Sequence, residues 1–336
     1  MKVGANQKPY KLNLPPTTFI RVGHEDLRAF VEAVARRAGL AKKRSTELSV
    51  YLIANDLRGV HSHGSRLIAE YARELRRGVL NADPDVHVVR ESAVSLIMDG
   101  DGGLGYFPAA DGTKLAISKA RKHGMAVMQS RNHGHIGAAG LYARMTLNHD
   151  LITFVTSGSP PKLPPGGPVY SPAIGSPMCF SAPAGENDPL VVDFSPVYDL
   201  RVSPHWTEIA HWIPGTVFRC IGLGTVAQAW GGLLAGISPD PSRNVPAFSA
   251  ANQAALVLTV QIALFTDPAE FRREMDNFAR RVAALAPLDG FLKSQFAGGP
   301  EADHDREYRK DGIPIGPEHQ TDLETIANEL GITAPW

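Results

Sequence analysis

The sequence predicts an α/β fold, and three observations carry the prediction. Segments with one apolar face at helical spacing alternate with short apolar runs of strand length. At 336 residues, 43% hydrophobic and 20% charged, the chain can bury a large core. The glycine run that matches a dinucleotide-binding fingerprint has the wrong surroundings for one, which points away from a standard doubly wound domain.

Taken in order, Leu27, Phe30, Val31 and Val34 share one helical face, and Gly39 supplies a stop. A second helix is expected to start at Ser45 or Thr46, whose hydroxyls can cap free N–H groups, and to run to about Leu57 with Leu48, Tyr51 and Leu52 inward. A third carries Leu67, Ile68, Tyr71 and Leu75 and ends at Gly78. Ser92 to Met98 reads as a strand closed by Asp99-Gly100. Lys114 to Lys122 reads as a helix stopped at Gly124, and Met125 to Gln129 as a strand. Leu151 to Thr156 and Leu190 to Asp193 are further strands, bracketing a Pro/Gly-dense stretch that reads as a long ordered loop. Late helices are expected over about Pro268 to Ala286 and Thr321 to Leu330.

Lys+Arg and Asp+Glu balance at 34 each, so no net field favours nucleic acid or an anionic membrane, and a small molecule is the expected partner. Two cysteines, Cys179 and Cys220, make no disulfide framework, and residues 1–16 lack the apolar core of a secretory signal; both point to the cytoplasm. Two uncharged stretches, Cys220 to Pro239 and Asn244 to Thr266, are interrupted by glycines and Gln228 or by Pro246, Asn252, Gln253 and Gln261. They read as buried core elements, not membrane spans.

The fingerprint letters occur at Gly100-Asp-Gly-Gly-Leu-Gly105. Asp101 would bring negative charge to a phosphate, Pro108 interrupts the following helix start, and the next strand ends at Gln129-Ser130 without an acidic residue for a ribose. The chemistry-bearing residues are elsewhere. Histidines occur as two tight pairs, His61/His63 and His133/His135, each in a glycine-containing loop after a predicted element. Imidazole exchanges a proton near neutrality, as carbonyl reduction requires. Two other readings stay open from the residues alone: polar loop corners, or a metal site completed by a carboxylate such as Asp193.

The segment Asn55-Asp-Leu-Arg-Gly-Val-His-Ser-His-Gly64, followed by Arg66 and Tyr71, resembles the signature of the malate/L-lactate dehydrogenase-like family. So does Arg131-Asn-His-Gly-His-Ile-Gly-Ala-Ala-Gly-Leu-Tyr142, and the Asp99–Gly105 loop lies between them as in that family. The resemblance implies a non-Rossmann α/β fold with a mixed sheet and N-terminal helices. It implies a helical part over 1–80 packed with a returning segment over 291–336, and an α/β core over 81–290. It further implies an NAD- or NADP-dependent oxidoreductase acting on a small 2-oxo or 2-hydroxy acid or a cyclic imino acid, assembled as a homodimer.

By that resemblance His63, with Ser62 beside it, and His135 are the catalytic candidates; Arg66, His61 and His133 are substrate-binding candidates. The cofactor candidates are Gly175, Ser176, Asp193, Phe194, Ser195, Gly298 and Gly299, with no metal. Here the chain departs from the family pattern: Gly175-Ser-Pro-Met178 replaces Gly-Thr-Asn-Pro, and Gly222-Leu-Gly-Thr225 lacks the family lysine. The departures leave an alternative, a cofactor-independent or metal-dependent lyase, hydrolase or isomerase that keeps the histidine pocket.

Overall fold

Along the chain run β1 (Ile20–Val22), α1 (His24–Arg37), α2 (Lys42–Leu57), α3 (Ile68–Arg76), β2 (His87–Glu91), β3 (Ser95–Asp99), α4 (Tyr106–His123), β4 (Met125–His133) and α5 (Ala139–Thr146). There follow β5 (Leu151–Gly158), β6 (Met178–Ala182), β7 (Leu190–Phe194), α6 (Tyr198–Val202), α7 (Trp206–Trp212), α8 (Pro214–Gly231), β8 (Gln253–Gln261), α9 (Pro268–Ala283), α10 (Gly299–Asp311), β9 (Ile313–Ile315) and α11 (Pro317–Leu330). This is a computed structural model, and it describes residues 15–243 and 245–336; the stretch read for a leader falls largely outside them.

A seven-stranded sheet, ordered β2-β3-β4-β8-β5-β6-β7, forms the centre. Within it only β3 and β4 pair in parallel, with α4 as their crossover; the other pairings are antiparallel, so the sheet is mixed. One core lies between this sheet and α4 and α5, holding Leu96, Met98, Ala116, Met128, Tyr142 and Val257. A second joins the two ends of the chain. Leu27, Val31, Leu48, Leu52, Ile68 and Tyr71 pack with Tyr308, Ile313, Ile315, Leu323 and Ile326, and β1 pairs antiparallel with β9.

Several boundaries move for physical reasons. The second helix begins at Lys42, because Ser45 Oγ bonds back to Leu40 O (3.2 Å) and Thr46 Oγ1 to Lys42 O (3.0 Å) instead of capping. The third strand begins at Ser95, since Ser92 Oγ receives the N–H groups of Val94 and Ser95 in the turn from β2. The next helix starts at Tyr106, well before Lys114: Pro108 falls in its first turn, where a missing N–H costs nothing. The Pro/Gly loop contains β6. Asn244 to Thr266 supplies β8, in the middle of the sheet. The stretch from Cys220, expected in the core, is mostly α8, and it is only partly covered: Trp230 is 47% and Leu234 67% exposed. Helix α10 has no apolar face to betray it and buries only Gly299, at its start, and Tyr308.

Candidate active site

His63 sits in a single 3-10 turn, His61–His63, between α2 and α3. The end of α2 fixes that turn. Asn55 Nδ2 donates to His63 O (2.9 Å), and the fully buried Asp56 carboxylate accepts the Ser65 N–H (2.7 Å). Gly64 lies against the same carboxylate, so closely that a Cβ there would overlap it.

His135 lies between β4 and α5, and the Gly100–Gly105 loop braces it. Gly102 N–H donates to Asn132 O (2.9 Å), Gly134 N–H to Gly103 O (2.8 Å) and Gly105 N–H to His135 O (3.1 Å). These amides are occupied by the neighbouring loop. The glycine run with the letters of a phosphate-binding turn is therefore a scaffold for a histidine.

The two loops bring His63 and His135 together, with ring centroids 5.5 Å apart. Tyr71 Oη lies 2.7 Å from His135 Nδ1, and Ser62 Oγ 2.8 Å from His63 Nδ1. Burial pushes the His135 pKa down to about 3, helped by His63 and His133, and burial also lowers that of His63. Both rings are therefore neutral at pH 7.

The other expected residues fall in different places. His133 is fully enclosed, with Ser130 Oγ 2.9 Å from Nε2 and Gly134 O 2.7 Å from Nδ1; no nitrogen is left for a substrate. His61 stacks on Tyr308 and lies 3.5 Å from Asp56, with both ring nitrogens buried and without a hydrogen-bond partner among the described residues. Arg66 is exposed and pairs with Asp322 (2.7 Å) and Glu318 (3.6 Å) on α11, so it clamps no substrate here.

Asp193, at the end of β7, accepts the Gly140 N–H at the start of α5 (2.7 Å), which ties it to the loop of His135. It keeps an exposed face, yet the surrounding protein pushes its pKa up to about 6 against the pull of Gly140 and Arg144. Its neighbour Phe194 points to the opposite sheet face, toward Phe154 and Met178, as strand alternation dictates. Ser195 is half-buried just beyond the strand, and its carbonyl accepts the Tyr198 N–H. Ser176 is buried and donates to Gln228 (2.9 Å), while Gly175 is exposed in a left-handed turn (φ +75°). Gly298 and Gly299 open α10 beside β7, where Val191 N–H donates to Ala297 O (2.9 Å).

Three groups at the site are not among the expected site residues, although Arg58 lies within the Asn55–Gly64 segment. Arg58 and Arg144 are half-buried and repel each other, and Glu301 of α10 acts on both. Arg144 makes no hydrogen bond or ion pair among the described residues, and Glu301 Oε2 is buried without a partner. Nothing in their spacing distinguishes them, because they meet only when α2, α5 and α10 pack. Among the described residues no three His, Cys, Asp or Glu side chains form a metal-ligand set.

Residues 22–197 match the profile of the family described as malate/L-lactate dehydrogenase. A malate dehydrogenase from Pyrococcus abyssi is 31% identical over 177 residues, covering 53% of this chain and 49% of that protein. The match thus spans about half the length of that relative. An L-sulfolactate dehydrogenase from Methanocaldococcus jannaschii is 24% identical over 337 residues, covering 92% of this chain and 96% of that protein. The solved malate dehydrogenase of Pyrococcus horikoshii OT3 superposes with a TM-score of 0.81 at 24% identity, covering 96% of this chain and 98% of that one.

Proposed function

Because the chain belongs to the malate/L-lactate dehydrogenase family, we propose that it is an NAD- or NADP-dependent oxidoreductase acting on a small 2-oxo or 2-hydroxy acid or a cyclic imino acid. The observation that carries this reading is the His63–His135 ring pair, 5.5 Å apart, built from two loops distant in sequence. A neutral imidazole suits removal of a hydroxyl proton from a 2-hydroxy acid; the imidazolium so formed is the proton donor to the carbonyl oxygen in the reverse direction.

The groups around β7 and α10 fit a nicotinamide dinucleotide. Asp193 and the unpartnered Glu301 Oε2 are acceptors for ribose or amide donors, and Arg58 and Arg144 are cations for phosphate or for a substrate carboxylate. When bound, that cofactor supplies the hydride acceptor or donor. The protein holds the substrate oxygen at His63 and His135 and moves its proton.

The same reading takes 1–80 and 291–336 as one packed part beside an α/β core over 81–290, and their shared apolar core supports it. It makes the protein a cytoplasmic homodimer without nucleic-acid or membrane partners. One helical stretch among the described residues, Pro214–Ala235, is apolar and long enough to cross a membrane; we assign its uncovered side to the subunit contact instead.

Titration with NADH and NADPH, followed by nicotinamide fluorescence, tests the reading. Saturable binding of one or both is expected; no binding of either at millimolar concentration would remove it.

A further inference from the structure

His135 Nδ1, Tyr71 Oη and Tyr106 Oη form a chain, with separations of 2.7 and 3.3 Å. Both tyrosines are enclosed, at 2% and 0% exposure. The Tyr106 hydroxyl faces Gly137, so closely that a Cβ there would overlap it, and its one hydrogen-bond partner among the described residues is Tyr71.

Protons can be arranged along this chain in two ways. In the first, Tyr106 donates to Tyr71 and Tyr71 donates to Nδ1, so every buried O–H has an acceptor. In the second, Nδ1–H donates to Tyr71 and Tyr71 to Tyr106, which leaves the Tyr106 proton with no acceptor in the core. An orphaned buried donor disfavours the second arrangement by roughly tenfold or more. The tautomer of a histidine follows from such a count.

We propose that Tyr71, its hydroxyl enclosed between His135 and Tyr106, is a positioning residue that holds His135 in the Nε2–H tautomer, so that it presents a fixed hydrogen-bond donor to the substrate oxygen and leaves proton exchange to His63. The two histidines then differ in kind. His135 has its inner nitrogen locked by a buried hydroxyl. His63 faces Ser62, whose exposed hydroxyl can either donate or accept and links the ring to solvent. This division of labour rests on the oxidoreductase reading; the tautomer itself does not.

The test uses the full chain labelled with 15N-histidine, His135 being assigned by its loss in His135→Asn. The unsubstituted protein is expected to show a protonated-type Nε2 and an acceptor-type Nδ1. Tyr71→Phe removes the donor to Nδ1 and should move the spectrum toward a mixture of tautomers. Tyr106→Phe leaves Nδ1 as the one acceptor for the Tyr71 O–H, so it should keep the tautomer of the unsubstituted protein; the Nδ1 signal of the unsubstituted protein carries the test if Tyr71→Phe fails to fold. In turnover, Tyr71→Phe should lower kcat with KM for the acid changed less than about threefold. A protonated Nδ1 in the unsubstituted protein, or a spectrum indifferent to Tyr71→Phe, overturns the proposal. So does a fall in kcat without any change of tautomer. A confirmed Nε2–H tautomer in a protein that binds neither NADH nor NADPH would instead refute the oxidoreductase reading and leave the tautomer assignment standing.

Discussion

Gly64→Ala should be among the most damaging single-methyl additions in this chain. The backbone there has φ −93°, which any residue adopts, so the effect is one of space alone. The methyl would overlap Oδ1 and Cγ of Asp56 and lie 2.8 Å from Oδ2. Asp56 is fully buried and its Oδ2 holds the Ser65 N–H at 2.7 Å, so the carboxylate cannot yield without giving up that bond. Overpacking costs about 1–3 kcal/mol. The orphaned amide adds about 1–3 kcal/mol. The sum, about 2–6 kcal/mol, is a large part of the roughly 5–15 kcal/mol that holds a typical domain together. Urea unfolding of Gly64→Ala beside Gly78→Ala gives the comparison. Gly78 has φ +69° and open space around it, so only its backbone conformation resists a side chain, at about 1 kcal/mol. Asp56→Ser in the Gly64→Ala background should recover part of the loss by making room. If Gly64→Ala costs no more than Gly78→Ala, the packing argument for this turn is wrong.

Other outcomes follow from the same geometry. His63→Ala should reduce turnover roughly 10²–10⁴-fold, the usual worth of a positioned proton-transfer group, with a native melting curve. Steady-state kinetics with the substrate acid checks it. His133 has a folded pKa of about 4 against 6.5 unfolded, so the unfolded chain binds more protons between those values. Its share of stability is complete above pH 6.5 and declines on acidification, by about 2 kcal/mol at pH 5. Denaturant midpoints at about pH 7 and 5 should show that slope, flattened in His133→Gln. Arg66→Ala should leave KM unchanged and cost under about 1 kcal/mol, as exposed ion pairs do, whereas Arg144→Gln should raise KM for cofactor or acid at least about tenfold. Isothermal titration of both variants distinguishes them. Dilution from tens of micromolar to nanomolar should lower the melting temperature if α8 is a subunit contact.

Legibility in the sequence follows how far each signal is local. Helices α1 and α3 declare themselves through a one-sided apolar face, and β4, β5 and β7 through short apolar runs. Strand β6 hides inside a proline-rich stretch because five residues, Met178–Ala182, carry too little pattern of their own. Helix α10 hides because its one core anchor, Tyr308, stands among charges. At the site, His63 and His135 are conspicuous by their glycine-flanked loops. Their flanking histidines share that spacing but not the placement: His133 turns inward along β4, and His61 turns toward α10. Tyr71 reads as a core residue, and it is one; its hydroxyl gains a second task only where α3 meets the loop after β4. Arg144 and Glu301 cannot be paired by any rule of spacing, being brought together by packing alone.

The bracing of the histidine loop by Gly100–Gly105 sets a limit for anyone retuning this protein. In a standard nucleotide-binding domain, edits to such a glycine turn alter coenzyme preference and leave the reacting groups in place. In this architecture a bulky residue at Gly105 would press on the Gly134 carbonyl and the His133 ring, and through them on the neighbouring imidazole. On the proposed reading, redesign of coenzyme choice belongs at the junction of β7 and α10, and the fingerprint letters are the wrong place to start.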